Sequence, residues 1–273
     1  MAEWMAIDDT DPAGGYDTRF GRDDYAMDTG PSALAIVDLI LQYISPMSVV
    51  DVGCGTGRFL EEFKKRGVDT ILGLDGPATK AVFEPDESCF LAVDLNQPTK
   101  LNRHFDLALC LEVVEHLPAE SADQVVRQLT SLAPFVLFSA AHPGQGGQGH
   151  VNERWPVYWH QRFSQHDYVA LDILRGPLCD HRLVLDCYRK NLVLYTELSR
   201  RTELLKRAEE LATPDAFVLA HDEGITTDLQ HQPWRVLIRA LGGKLNRRTR
   251  HAAMKLTTAG ASESTAAAHP GSR

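Results

Sequence analysis

Length, composition and charge already exclude several classes of protein. The chain has 273 residues, 44% of them hydrophobic and 24% charged, which suits one main domain of about 200 residues with appended segments. No stretch approaches the roughly 20 apolar residues of a membrane-spanning helix, so we expect no membrane partner. The formal net charge of -9 opposes a phosphate backbone and argues against a nucleic-acid partner.

The N-terminus and the spacing of the cysteines indicate the cellular compartment. The N-terminus is acidic and lacks the basic start and apolar run of a secretory signal. The five cysteines have no CxxC spacing, so we expect no disulfides and no structural zinc. Together these features predict a cytoplasmic protein, and they leave open whether it forms a homodimer.

Four segments follow one another along the chain. Residues 1–30 are rich in Asp and Gly but also hold several aromatic residues, which predicts a lid. Residues 31–197 form the main domain, and an unusual insert over 140–168 interrupts it. Residues 198–256 are predicted to be a helical appendage, and the low-complexity residues 257–273 a disordered tail.

The main domain alternates short apolar runs with helical patterns. A helix is predicted from Pro31 to before Pro46, and another begins near Ser121, where Ser121 and Gln124 have capping-box spacing. Strands are predicted at 48–52, 70–74, 89–93, 105–110, 135–139, 168–174 and 192–196. Nearly all-apolar strands belong in a parallel sheet that is covered on both faces. We therefore predict an α/β, Rossmann-like, seven-stranded and mostly parallel sheet that closes with a C-terminal antiparallel hairpin.

A Gly-rich turn follows the first strand and lets a ligand approach the backbone closely. In the dinucleotide fingerprint the third small residue would fall at position 58, but that residue is Arg58, and the third glycine comes one place early at Gly57. Asp51, at the strand end, would repel a pyrophosphate but attract an ammonium or sulfonium group. Both features argue against an NAD-dependent oxidoreductase.

Four motifs together resemble the class I S-adenosylmethionine (SAM) dependent methyltransferases over roughly Pro31 to Thr196. The resemblance implies SAM as cofactor and S-adenosylhomocysteine as product. It also implies that Asp51 and the glycines open the SAM site, that Asp75 holds the ribose, and that Asp94 and Leu95 hold the adenine. The fourth-strand motif, FDLALCLEVVEHLP from Phe105 to Pro118, is implied to line the cofactor. The implied cofactor-binding residues are Asp51, Gly53, Cys54, Gly55, Gly57, Asp75, Gly76, Asp94, Leu95, Leu111 and Glu112. Cys54 and Cys110 are also interpreted as packing residues.

The insert follows the fifth strand, where open α/β sheets bind their ligands. Its residues His150 to Pro156 resemble a subgroup of bacterial methyltransferases with the pattern H-x-N-E-x-W-P, which occurs in polysaccharide and secondary-metabolite gene clusters. Histidines, Asn152, Glu153 and several aromatics combine apolar walls with a few polar groups, as small-molecule pockets do. Trp155, Trp159 and Phe163 fit either a helix core or a stacking surface for the acceptor.

A hydroxyl acceptor must lose a proton, and a histidine with a near-neutral pKa is suited to take it. We predict His150 as the general base and His142 as the second candidate, with Asn152 and Glu153 as the neighbours that fix the tautomer of His150 and with Glu153 as part of the catalytic group. The alternative is that His142, His150 and Glu153 bind a divalent metal, although the prediction is that no metal is bound. Glu115 and His116 are interpreted as structural.

The sequence thus predicts a SAM-dependent methyltransferase that acts on a small polar acceptor. O-methylation of a sugar or secondary-metabolite hydroxyl is the preferred reaction. Two alternatives remain: N-methylation of a small amine, and a non-catalytic SAM-binding partner protein, against which the polar residues of the insert argue.

Overall fold

The structure is a computed structural model that describes residues 29–211. The predicted lid, most of the predicted appendage and the predicted tail lie outside these residues. The strands are Ser48–Val52 (β1), Thr70–Asp75 (β2), Phe90–Ala92 (β3), Leu107–Leu111 (β4), Phe135–Ser139 (β5), Tyr168–Leu171 (β6) and Val193–Glu197 (β7). The helices are Gly30–Ile40 (α1), Arg58–Lys65 (α2), Ala122–Leu132 (α3), Pro156–Ser164 (α4), Arg175–Leu178 (α5), Asp186–Asn191 (α6) and Arg201–Leu211 (α7).

The strands form one seven-stranded sheet in the order β3-β2-β1-β4-β5-β7-β6. Strands β1 to β5 pair in parallel, whereas β7 is antiparallel to both of its neighbours, β5 and β6. This confirms the predicted α/β fold with its antiparallel end. The carboxyl ends of β1, β2, β4 and β5 meet at one edge, so the loops that follow them share a single site.

Both faces of the sheet are covered, because alternate residues of each strand point to opposite sides. Val49 packs with the buried side chains of α1 and α2, including Leu60 and Phe63. Its neighbour Val50 packs on the other side with α3 and α4. The central strands are therefore apolar on both faces, which explains their nearly unbroken hydrophobic runs.

Two local expectations need correction. Ser121 does occupy the N-cap position of α3, but its backbone is already helical and its side chain makes no capping hydrogen bond. The connection between β2 and β3 is not a regular helix, since residues Pro77–Val82 form a 3-10 helix. Pro77 opens this segment and Pro85 follows it, so a continuing helix would meet a residue that cannot donate a backbone hydrogen bond.

The predicted aromatic cluster of the insert divides into two parts. Trp159 and Phe163 of α4 are buried, and both rings pack against Phe138 of β5. They are core residues, so the core interpretation is correct for them. Trp155 precedes the helix and stays 44% exposed. In the described part of the chain, no helix is long and apolar enough to span a bilayer.

Candidate active site

The Gly-rich turn after β1 is held by its own backbone. The amides of Gly53 and Cys54 both donate to the carbonyl oxygen of Leu74, at 2.7 and 3.2 Å. Gly53 has a φ of 81°, and a Cβ atom there would lie 2.4 Å from a methyl group of Val113. Glycine is therefore required twice over, by backbone conformation and by space.

Asp75, at the end of β2, fastens this turn from the next strand. One carboxylate oxygen accepts a hydrogen bond from the Gly55 amide and the other from the Gly76 amide, both at 2.8 Å. Asp75 is almost fully buried, with an exposed fraction of 1%. A carboxylate oxygen has room for a second donor, so these bonds are compatible with a further ligand hydroxyl.

Asp51 lies beside Asp75 in the buried strand β1. Burial raises the pKa of Asp51 to about 7, and the negative charge of Asp75 adds to this effect. A positively charged ligand group would relieve both penalties. The thiol of Cys54 lies against the same turn, and burial raises its pKa well above the usual value, so this side chain packs and does not act as a nucleophile.

Asp94 and Leu95 follow β3 at the outer side of the same edge. The Asp94 carboxylate is exposed, and one of its oxygens accepts from the backbone amide and the side-chain amide of Asn96, both at 2.9 Å. Leu95 is buried. The pair thus offers a polar group facing solvent beside an apolar anchor.

The end of β4 joins the Gly-rich turn to the insert. Leu111 is buried, and Glu112 takes a φ of 54°, a conformation that side-chain-bearing residues rarely adopt. Gln145 of the insert donates to the Glu112 carboxylate at 2.9 Å, and Asn191 of α6 donates at 3.2 Å. Asn191 also donates to the Gln145 side-chain oxygen at 2.8 Å. These three residues connect both sides of the site.

Glu153 organises the irregular part of the insert. Its carboxylate accepts from the backbone amides of Gly144 and Gly146, both at 2.8 Å, and contacts Nδ1 of His150 at 2.9 Å. The contact with His150, followed by the Gly144 amide, lowers the pKa of Glu153. The predicted pairing of His150 with Glu153 is therefore present in the structure.

His142, the second predicted base, lies elsewhere in the insert. Its ring stacks on Trp155 with a centroid separation of 5.7 Å and an interplanar angle of 4°. It also lines an open cleft together with residues in or next to α5 and α6, namely Asp172, Arg175, Gly176, Cys179, Arg189 and Lys190. His142 therefore contacts Trp155, and neither His150 nor Glu153 lines the same cleft.

The structure brings His150 to two residues that the sequence interpretation set aside as structural. Ligand atoms of Glu115, His116 and His150 all lie within 4.8 Å of one another. The rings of His116 and His150 meet edge to face at a centroid distance of 4.9 Å. The backbone carbonyl of Glu115 accepts from the amides of Val151 and Asn152, which brings the insert to this point.

Glu115 is the most unusual residue of this group. It is fully buried, and its carboxyl group lies against the backbone of Ala141 and the side chain of Glu112, but no hydrogen bond of good geometry reaches either oxygen within the described residues. Burial raises its pKa well above the usual value, and the nearby charge of Glu112 raises it further. The sequence signal was the Glu-His pair just after β4, but nothing in the insert's sequence showed that His150 would join it.

Comparisons with known proteins identify the family of this chain. A family model described as a methyltransferase domain matches residues 30–170, which is more than half of the chain. The ubiquinone biosynthesis O-methyltransferase of Pseudomonas fluorescens is 35% identical over 82 residues, which cover 27% of this chain and 35% of that protein. The chain belongs to the methyltransferase-domain family. The match spans only about a third of the curated relative's length.

Solved methyltransferase structures are among those to which this chain is similar. CalS10, an amino pentose methyltransferase from Micromonospora echinaspora, is similar with a TM-score of 0.49 and 18% identity, over 64% of this chain and 94% of that one. The sugar N-methyltransferase KedS8 from Streptoalloteichus is similar with a TM-score of 0.49 and 16% identity, over 71% and 99%. The cofactor of this methyltransferase domain is SAM.

Proposed function

We propose that this protein transfers the methyl group of SAM to a hydroxyl group of a small polar acceptor. The observation that carries the proposal is the His150–Glu153 pair, which lies in the loop after β5. This loop is next to the edge of the sheet where β1, β2 and β4 end, which we call the cofactor edge because the proposed SAM contacts lie there. The partial relative from Pseudomonas fluorescens is itself named an O-methyltransferase, which supports oxygen as the acceptor atom. We also propose membership of the bacterial subgroup with the H-x-N-E-x-W-P insert, and hence a sugar or secondary metabolite as acceptor.

In this proposal the cofactor lies across the ends of β1 to β4. Asp51 would pair with the positively charged amino acid end of SAM, because that contact offsets the cost of burying a carboxylate. Asp75 would accept hydrogen bonds from the ribose hydroxyls, and Asp94 with Leu95 would hold the adenine. The turn residues Gly53, Cys54, Gly55, Gly57 and Gly76, with Leu111 and Glu112, would complete the contact surface.

The reaction itself needs little covalent chemistry from the protein. The sulfonium already carries the leaving group, so the protein must position the acceptor and remove its proton. Glu153 accepts a hydrogen bond from Nδ1 of His150, which leaves the lone pair on Nε2 to take the hydroxyl proton. The methyl carbon then bonds to the acceptor oxygen as its bond to sulfur breaks. His142 remains the second candidate base, and if it takes the proton, the cleft that it lines would hold the acceptor.

The test is a comparison of His150→Ala with His142→Ala. If His150 takes the proton, His150→Ala should lower kcat by roughly 10²-fold or more while SAM affinity stays nearly unchanged. Turnover is measured as S-adenosylhomocysteine formed with matched acceptors, a panel of methyl glycosides and the corresponding amino sugars. Methylation of the amino sugars alone would overturn O-methylation in favour of N-methylation. Full turnover in His150→Ala, with loss in His142→Ala, would reassign the base.

A further inference from the structure

We propose that Glu115, His116 and His150 bind a divalent first-row transition-metal ion, with Zn²⁺ as the preferred member of that class. The inference rests on the proposed methyl transfer to oxygen, and it gives His150 the role of a ligand in the metal-loaded protein. The ligand set differs from the one that the sequence suggested. His142 stacks on Trp155, and the oxygens of Glu153 already accept from two backbone amides and His150.

The donor set has the chemistry of a metal site. Three ligand atoms, one from each residue, lie within 4.8 Å of one another, close enough for one ion to reach all three after small side-chain adjustments. Two imidazoles and one carboxylate favour Zn²⁺ and related ions over Mg²⁺ and Ca²⁺, which prefer oxygen ligands alone. Three protein ligands also leave at least one position open to an acceptor oxygen, as in catalytic zinc sites.

The buried carboxylate of Glu115 is the independent observation that points to a ligand. Buried polar groups in proteins are nearly always satisfied, and a fully buried carboxylate that lacks a well-formed hydrogen bond and has another carboxylate, Glu112, as its charged neighbour needs an explanation. A cation between Glu115 and the two histidine rings would supply the missing partner. It would also balance the acidic surroundings, since Glu112 lies close enough to affect Glu115.

The contacts around His150 match the usual outer surroundings of a metal-bound histidine. Such a histidine commonly donates its other ring N–H to a carboxylate, which fixes the tautomer and the ring orientation. Nδ1 of His150 meets the Glu153 carboxylate at 2.9 Å, so Nε2 keeps its lone pair. Glu153 would then act as a positioning residue. Gly147 packs closely against the His150 ring, because a Cβ atom at Gly147 would lie 2.3 Å from Nε2 of His150.

A cation at this place would serve the proposed reaction. It would bind the acceptor hydroxyl and lower its pKa, so that the proton is released to water. The oxygen would then take the methyl group while S-adenosylhomocysteine departs. In this form of the protein the cation activates the hydroxyl, whereas His150 does so as a base when no cation is bound.

The experiment uses the full chain, freed of metal by a chelator and then titrated with Co²⁺ as a spectroscopic substitute for Zn²⁺. We expect one Co²⁺ per chain with a visible absorption band from imidazole ligation, and displacement by Zn²⁺ but not by Mg²⁺. Glu115→Gln and His150→Ala should each weaken Co²⁺ binding by at least about tenfold, and Glu153→Gln by about tenfold through loss of orientation. His142→Ala and the exposed His181→Ala are the matched controls and should bind Co²⁺ normally.

The outcomes separate this inference from the proposed function. SAM binding is measured in the same metal-free protein, so a chain that binds SAM but shows no stoichiometric Co²⁺ band overturns the inference alone. Binding that survives both Glu115→Gln and His150→Ala, or that is lost in His142→Ala, also overturns it. If Glu115→Gln does not fold, His150→Ala carries the test, because that residue lies in a loop. Normal Co²⁺ binding with methylation of amines alone would overturn the proposed function and leave the metal site standing.

Discussion

The cofactor edge and the acceptor insert share one structural feature, a carboxylate that accepts hydrogen bonds from two glycine amides. Asp75 accepts from the amides of Gly55 and Gly76, and Glu153 accepts from those of Gly144 and Gly146. Their charge environments are opposite. Beside Asp75 lies a second buried carboxylate, Asp51, whose pKa rises to about 7, whereas Glu153 contacts a histidine and its own pKa is lowered.

The difference shows what each region is arranged to receive. Two neighbouring buried carboxylates at the cofactor edge store an electrostatic cost that a positively charged ligand removes. In the insert the carboxylate is already paired, so its role is to fix a loop and a histidine ring. The first region therefore depends on its ligand for electrostatic balance, while the second is balanced within the protein.

The largest expected effect tests the backbone of the cofactor edge. Gly53→Ala combines a left-handed backbone with a Cβ contact of 2.4 Å to Val113, so we expect it to lower the free energy of unfolding by about 2–5 kcal/mol and to abolish SAM binding. Thermal denaturation and calorimetry measure the two effects. Gly144→Ala in the insert has the positive φ but open space, and should cost about 1–2 kcal/mol.

Gly176→Ala completes this series as the neutral control, because its site has neither a positive φ nor a neighbour within 4 Å. Equal losses in Gly53→Ala and Gly144→Ala would show that the contact with Val113 contributes nothing. That result would remove the steric reason for glycine at position 53.

The second largest effects are expected from substitution of the two carboxylates that accept from glycine amides, Asp75 and Glu153. Asp75→Ala should weaken SAM binding by about 2–4 kcal/mol, because it removes the proposed ribose contacts and releases two backbone amides. Isothermal calorimetry measures the affinity, and circular dichroism confirms that the variant is folded. An unchanged affinity in a folded variant would assign the ribose to another acid.

Glu153→Gln removes the charge of the corresponding carboxylate in the insert. It should affect methylation of the acceptor and not the binding of SAM. We expect a loss of about 1–3 kcal/mol in unfolding free energy, since one amide or the His150 contact loses its acceptor. Turnover should fall while SAM affinity stays constant. Glu209→Gln, on an exposed position of α7, is the matched control. A drop in SAM affinity as large as that of Asp75→Ala would contradict the division into two regions.

The smallest effect is the pH dependence. Because the ionised form of Asp51 is the one that attracts SAM, affinity should decrease as pH falls below about 7, by at most about tenfold per pH unit. Asp51→Asn should flatten this profile. In the free protein the sign is reversed, since a raised carboxyl pKa means that protonation between about 7 and the ordinary value of 3.8 stabilises the fold.

Glu153 should respond to pH in the opposite direction. Its lowered pKa means that its contribution to stability is fully present above the ordinary value of 4.5 and is lost as pH falls through the folded value. Urea unfolding of Glu153→Gln and wild type across this range measures the contribution. A difference between the two proteins that grows towards low pH would reverse the assignment.

The sequence predicted the strands and the Gly-rich turn at the proposed cofactor edge well, because their signals are local. The strand, the turn and Asp51 are contiguous, and a buried parallel strand fixes where Asp75 must emerge. All seven strands were placed, and β1 and β5 have the predicted bounds. The Ser121 capping interaction was wrong because the residue's own backbone is already helical, which spacing alone does not reveal.

The acceptor side was harder to predict for a physical reason. The pairing of His150 with Glu153 is local, and it was expected. The approach of His150 to Glu115 and His116 depends on the path of a loop without periodicity, fixed by hydrogen bonds of the Val151 and Asn152 amides to the Glu115 carbonyl. Those bonds use backbone atoms, so no side-chain pattern records them.

The Glu112–Gln145–Asn191 network has a thermodynamic consequence. Glu112 directly follows β4 and is proposed to contact the cofactor, Gln145 belongs to the insert, and Asn191 ties both to α6. A ligand that shifts Glu112 on one side must change the free energy of the loop on the other. Linkage makes this change reciprocal, so SAM would alter the affinity for the acceptor by the same factor by which the acceptor alters the affinity for SAM.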